Sequence, residues 1–192
     1  MKIFREVAIT VLIALAVFAV LRLTMQSYTV VMSSMEPNFY QGDCIMVSKV
    51  SYRSSGPQRG EVIVFNPPFD SAHPFIKRVV GLPGEIVEIR DEKVFVNGIP
   101  LDEEYVMAPP NYTMPATGIS QNEYFVLGDN RNNSNDSHTG WMVPRDNIIG
   151  RAWFVYWPPS RWRVVRHYSY PELTGAGEQE MMVTQSPGVQ IG

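Results

Sequence analysis

The chain contains a single cysteine in 192 residues. Cys44 therefore has no partner for an intramolecular disulfide, and no second thiolate is present to build a zinc site. It reads as a small hydrophobe between Asp43 and Ile45. Histidine is scarce as well. His73, His138 and His167 are scattered without metal-ligand spacing, so no metal and no cofactor are expected. An excess of either charge is lacking too: 16 basic residues against 19 acidic ones leave a net charge of −3. That balance gives no footprint for a nucleic-acid partner. No internal repeat is found, and helical periodicity disappears after residue 25.

What remains is a composition that folds. A hydrophobic fraction of 45% and an aromatic fraction of 11% exclude a disordered chain. The length suits one domain, or one domain with a small insert. From Val7 to Leu21 every residue is apolar except Thr10. As a helix this run covers about 22 Å, and extension to Met25 brings it to about 28 Å, close to the ~30 Å of a bilayer core. Arg22 must then snorkel its guanidinium to the interface. "RLTMQS" after the run offers no small-x-small cleavage site, so an uncleaved anchor over 7–25 is expected rather than a removed signal peptide. Lys2 and Arg5 place residues 1–6 in the cytoplasm by the positive-inside rule, and the rest of the chain outside it.

The body reads as mainly β. "EVIVF" (61–65), "FIKRVV" (75–80), "EIVEIR" (85–90), "KVFV" (93–96) and "EYFVL" (123–127) are short, β-branched and aromatic runs, punctuated by Gly and Pro. Asn97-Gly98 predicts a tight hairpin turn. Residues 102–121 read as irregular loop within a smaller subdomain. The chain after about residue 168 reads as a polar tail outside the core. In "RAWFVYWPPSRW" (151–162), alternation puts Phe154 and Tyr156 on one face and Trp153, Val155 and Trp157 on the other. Both faces are apolar, so this strand is either buried twice or meets lipid on one side.

Two adjacent serines, Ser33 and Ser34, follow the anchor closely in "VVMSSMEPNF". A serine becomes a nucleophile only when a base takes its proton. The scattered histidines are poor material for a Ser-His-Asp triad, and lysine is the alternative. A lysine acts as a base only when burial lowers its pKa. Lys77 lies in the apolar run "PFIKRVVGLPG", although alternation alone does not decide whether it or Arg78 is the buried one.

"SSMEP", "RGEVIVFNPP", "FIKRVVGLPGE" and "LGDNRNNSNDSHTG", in that order behind one anchor, closely resemble the type I signal peptidases. The resemblance implies a β catalytic domain over 26–88 and 122–167, a small inserted β subdomain over 89–121, and residues 168–192 as a tail. It implies a membrane-bound serine endopeptidase that removes signal peptides from exported preproteins, cutting after small residues at the first and third positions before the bond. Ser34 matches the nucleophile and Lys77 the general base. Ser134 matches the hydroxyl that orients the lysine amine, Asp129 the carboxylate that pairs with Arg78, and Asp136 a structural acid beneath the site. Met35, Phe39, Phe75 and Ile76 are the pocket-lining candidates. The sequence departs from many relatives at His138, where they carry arginine, and at Met32, where a serine often donates to the oxyanion. Exported preproteins and the lipid bilayer are the expected partners, with no nucleic acid, and the chain is expected to be a monomer. A self-cleaving Ser-Lys repressor would share this chemistry but needs a DNA-binding domain in place of an anchor. A tethered β binding module would make the burial of Lys77 accidental.

Overall fold

The computed structural model describes residues 2–173. Helix α1 (Lys2–Thr24) buries none of its residues and is long and apolar enough to cross a membrane. It runs directly into β1 (Met25–Thr29), which pairs along its length with β2 (Cys44–Ser48). The apolar runs then form strands where expected: β3 (Val62–Phe65), β4 (Phe75–Gly81), β5 (Ile86–Arg90) and β6 (Lys93–Val96). The turn to β7 (Ile99–Pro100) has positive φ at Asn97 and Gly98, +51° and +82°, a conformation that Asn-Gly supplies at low steric cost. Residues 102–121 are not wholly irregular, because β8 (Met114–Gly118) pairs with β5. β9 (Glu123–Leu127), β10 (Val143–Pro144), β11 (Ile148–Trp157) and β12 (Arg163–Val164) complete the set.

These strands make two sheets. The larger has eight strands in the order β1-β2-β11-β3-β4-β9-β10, with β12 on β11; the smaller runs β7-β6-β5-β8. The smaller sheet is inserted between β4 and β9, which are neighbours in the larger one. β4 is therefore an interior strand, and both its faces are covered. Its Lys77 and Arg78 are 2% and 1% exposed. Alternation could not choose between them because the fold buries both.

Two expectations are corrected. β-bulges between Ala152 and Phe154 and between Val155 and Trp157 interrupt the register of β11 against β2. Each inserts an unpaired residue and resets which side faces out. Val155 consequently joins the core, while Trp153 and Trp157 are exposed and do not share its face. The chain also stays with the core past residue 168. Tyr170 is buried against Leu101, Tyr105 and Val94, and Tyr168 and Leu173 pack beside it. The remainder of the expected tail, 174–192, lies outside the described residues.

Candidate active site

The segment after β1 is pinned as a turn. Glu36 N–H donates to Ser33 O at 3.1 Å, Asn38 N–H to Met35 O at 3.0 Å, and Phe39 N–H to Met35 O at 2.8 Å. Met35 and Phe39 are buried in the core formed with Ile45, Val47 and Val155, so the turn is anchored from within. This is also where two pocket candidates end: Met35 and Phe39 pack beneath the turn and do not line the apolar groove beside Ser34. Phe75 and Ile76 do line it, together with Val31, Met32, Ser34 and Lys77. A second, larger recess is lined by Ser33, Asn133 and Ser134, and again by Val31, Met32, Ser34 and Lys77. Ser34 and Lys77 are thus common to both recesses.

The two side chains meet. Lys77 Nζ donates to Ser34 Oγ at 2.7 Å and to Ile76 O at 3.1 Å. Burial among apolar neighbours lowers the Lys77 pKa from 10.5 to about 8, against the opposing pull of Asp136 and Asp129. About a tenth of the amine is then neutral at pH 7, against far less than a hundredth for a solvated lysine. Ser33 sits apart from the amine; its hydroxyl accepts from Asn133 Nδ2 at 3.0 Å. The Ser34 backbone N–H makes no backbone hydrogen bond to another described residue.

Of the supporting residues, Arg78 and Asp129 form a bidentate pair at 2.8 and 2.7 Å with both side chains buried. The guanidinium also donates to Gly60 O at 2.8 Å and lies over the rings of Tyr105 and Tyr168. Asn38 Nδ2 donates to the second Asp129 oxygen at 2.9 Å, tying the Ser34 turn to this pair. Asp136 Oδ2 accepts from Gly128 N–H at 2.9 Å. Gly128 is required by contact: a Cβ there would lie 2.3 Å from Ser134 Oγ and 2.4 Å from the Ser34 carbonyl oxygen. Ser134 is thereby brought to the site, but among the described residues its buried hydroxyl has no hydrogen-bond partner, Lys77 included.

Tyr105, Tyr112 and Tyr168 carry no signal in the sequence. They lie in loops whose composition carries no periodic signal, and only the folded contacts reveal them. His138, by contrast, does find a role in the structure, bonded to Asp136 and stacked on Tyr112.

Comparison with known proteins adds an independent line. The model of the family described as signal peptidase, peptidase S26, matches residues 3–157. "Probable signal peptidase I-1" of Synechocystis sp. is 46% identical over 144 residues, covering 71% of this chain and 74% of that protein. Signal peptidase I of Leptolyngbya laminosa is 45% identical over 67% of this chain and 66% of its own length. Signal peptidase IB of Staphylococcus aureus is 31% identical, with 82% of this chain and 89% of that protein covered.

Proposed function

The chain belongs to the signal peptidase family, peptidase S26, and from that premise we propose that Ser34 and Lys77 are the nucleophile and general base of its peptide hydrolysis. The observation that carries the assignment is the 2.7 Å contact between Ser34 Oγ and a buried lysine whose ammonium form is disfavoured. Neutral Lys77 accepts the Ser34 proton as Oγ bonds to the scissile carbonyl carbon. The Ser34 N–H donates to the developing oxyanion in this scheme. The resulting lysinium protonates the leaving amine as the C–N bond breaks. Water, deprotonated by the same amine, then hydrolyses the acyl-enzyme and frees Ser34.

The substrates are exported preproteins, cleaved after small residues. Among the described residues, Phe75–Lys77 of β4 have a strand neighbour only in β3, because pairing with β9 begins at Arg78. An extended peptide can add along this open edge, with its side chains entering the apolar groove. Phe75 and Ile76 line that groove and favour small residues by leaving little room. The chain works as a monomer, since one chain supplies both reacting side chains. It is a single-pass membrane protein whose N-terminus is cytoplasmic and whose larger sheet, with the smaller one as an insert, is extracytoplasmic. The scheme uses only side chains and backbone donors.

Purified wild type, Ser34→Ala, Lys77→Ala and Lys77→Arg should be compared on one preprotein in detergent. The three variants are expected to lose cleavage while remaining folded, Lys77→Arg because guanidinium does not deprotonate in proteins. Wild-type kcat/KM should rise with pH through about 8, the Lys77 value, and survive EDTA. Robust turnover by Lys77→Arg would remove lysine as the base.

A further inference from the structure

The loop after β9 carries a buried acid whose counter-group is an imidazole. Asp136 is fully buried, and its Oδ1 accepts from the His138 backbone N–H at 3.2 Å. The His138 ring closes on the same oxygen, with Nδ1 at 2.6 Å. Tyr112 stacks on that ring, centroids 4.1 Å apart and planes 25° apart, so the imidazole cannot leave the carboxylate without giving up the stack. The His138 side chain keeps 20% of its surface exposed, which leaves it open to proton exchange with solvent.

This pair lies one glycine below the reacting side chains. Gly128 donates to Asp136 and packs directly against Ser34 and Ser134. Lys77 accordingly faces two carboxylates, Asp136 and Asp129. Their counter-charges differ in kind. Asp129 is held by the Arg78 guanidinium, a cation at every working pH. Asp136 has His138 as its ion-pair partner among the described residues, and imidazole is the side chain type that changes charge in the physiological range. The other groups nearby are fixed in charge. Burial and Asp136 push the Tyr112 phenol up, so it stays neutral, and Arg131 and Glu103 pair with each other at 2.8 Å.

We propose that His138 is a positioning residue for the Ser34–Lys77 reaction, acting through Asp136 to set how strongly Lys77 holds its proton. The proposal rests on Lys77 being the base. With a neutral imidazole, the Asp136 charge is uncompensated and favours lysinium. With a protonated imidazole, the Asp136–His138 pair is neutral overall, and Lys77 releases its proton at lower pH. The two protonations therefore oppose each other as pH falls. The acidic limb of kcat/KM declines with a slope below one per pH unit.

The test compares full-length wild type, His138→Arg and His138→Gln in detergent on one preprotein across the acidic limb. Arginine supplies a permanent cation, and glutamine a donor that never carries charge. Both variants should show limbs of unit slope, with the arginine limb at lower pH and a roughly three- to tenfold separation at the acidic foot. Wild type should follow the glutamine curve at its alkaline end and approach the arginine curve at its acidic end. Coincident profiles, or an arginine limb at higher pH, overturn the proposal. If His138→Arg fails to fold, superimposable wild-type and glutamine profiles overturn it equally. Titration of the Lys77 13Cε resonance, assigned by its loss in Lys77→Met, reads the coupling without turnover. A resonance that shifts with the His138 variants while the kinetic limb stays fixed upholds the coupling and removes Lys77 as the base. A resonance unmoved by either variant defeats the coupling itself.

Discussion

Lys77 and Arg78 are adjacent, equally buried and cationic in solution, yet the fold treats them oppositely. Arg78 receives a bidentate carboxylate, a carbonyl and two aromatic rings, and Asp129 offsets the cost of its burial. Lys77 receives a hydroxyl, one carbonyl and the Phe75 ring at 5.4 Å, with no carboxylate among the described residues paired to it. Its folded-state pKa of about 8 lies below the ordinary lysine value of 10.5. Between those values the unfolded chain binds the proton and the folded one does not, so stability rises with pH across that window. Below about pH 8 the full penalty is present, on the order of 3 kcal/mol. Lys77→Met should therefore be more stable than wild type at pH 7 in urea titrations, and its advantage should shrink as pH approaches 10.5. A constant difference across that range would mean that Lys77 is not desolvated. Met32 supports a second prediction. It is 52% exposed and lines the groove with Ser34, so replacing it costs little packing. Met32→Ser adds a hydroxyl where an oxyanion donor can form, and kcat should rise several-fold with little change in KM. An unchanged or lower kcat in a folded variant would count against a donor at this position.

At the scale of elements, the site depends on β4 being interior and on three loops converging at its end. The 33–39 turn brings Ser34 from one side, and the Asn130 N–H donates to its carbonyl oxygen at 3.0 Å. The 128–140 loop supplies Asp129, Ser134 and Asp136 from the other. The strap formed by 165–173 covers the far face. Its Tyr168 shields Arg78, and its Tyr170 hydroxyl meets that of Tyr105 at 2.7 Å. Tyr170→Ala should lower unfolding free energy by roughly 3 kcal/mol, the usual cost of deleting a buried aromatic. Tyr170→Phe should cost at least about 1 kcal/mol, since it removes the bond to the Tyr105 hydroxyl. Denaturant midpoints measure both, and an alanine variant as stable as wild type would show that the strap does not belong to the core.

For the whole molecule, the bare helix and the sheet are continuous. β1 follows α1 without a linker, and the Lys49 N–H bonds to the Thr24 carbonyl at 2.8 Å. Ser27 and Tyr156 then join β1 to β11, the strand that exposes Trp153 and Trp157. The larger sheet is thus held close to the end of the apolar helix, with β2 alone separating its indole-bearing strand from the strand that leaves the helix. Protease added to intact spheroplasts should digest the sheet domain and spare residues 1–6. Protection of the sheet domain would reverse the proposed orientation and place Ser34 away from exported substrates.

The anchor, the five strand runs and the Asn97-Gly98 turn were legible in the sequence because each depends on local pattern: apolar length, β-branching or a positive φ. The motif serines, lysine and acids were legible as types in order, and their resemblance carried the choice of Ser34 over Ser33. Other features depended on partners distant in the chain. Burial of both Lys77 and Arg78 follows from strands and a strap that cover β4 on both faces. The outward turn of Trp153 and Trp157 follows from bulges against β2, which single-strand alternation does not register. Core positions for Met35, Phe39 and Tyr170 likewise arise from long-range packing. The pairing of His138 with Asp136 is local in sequence, but its bearing on Lys77 exists only because Gly128 lets the two loops close to van der Waals contact.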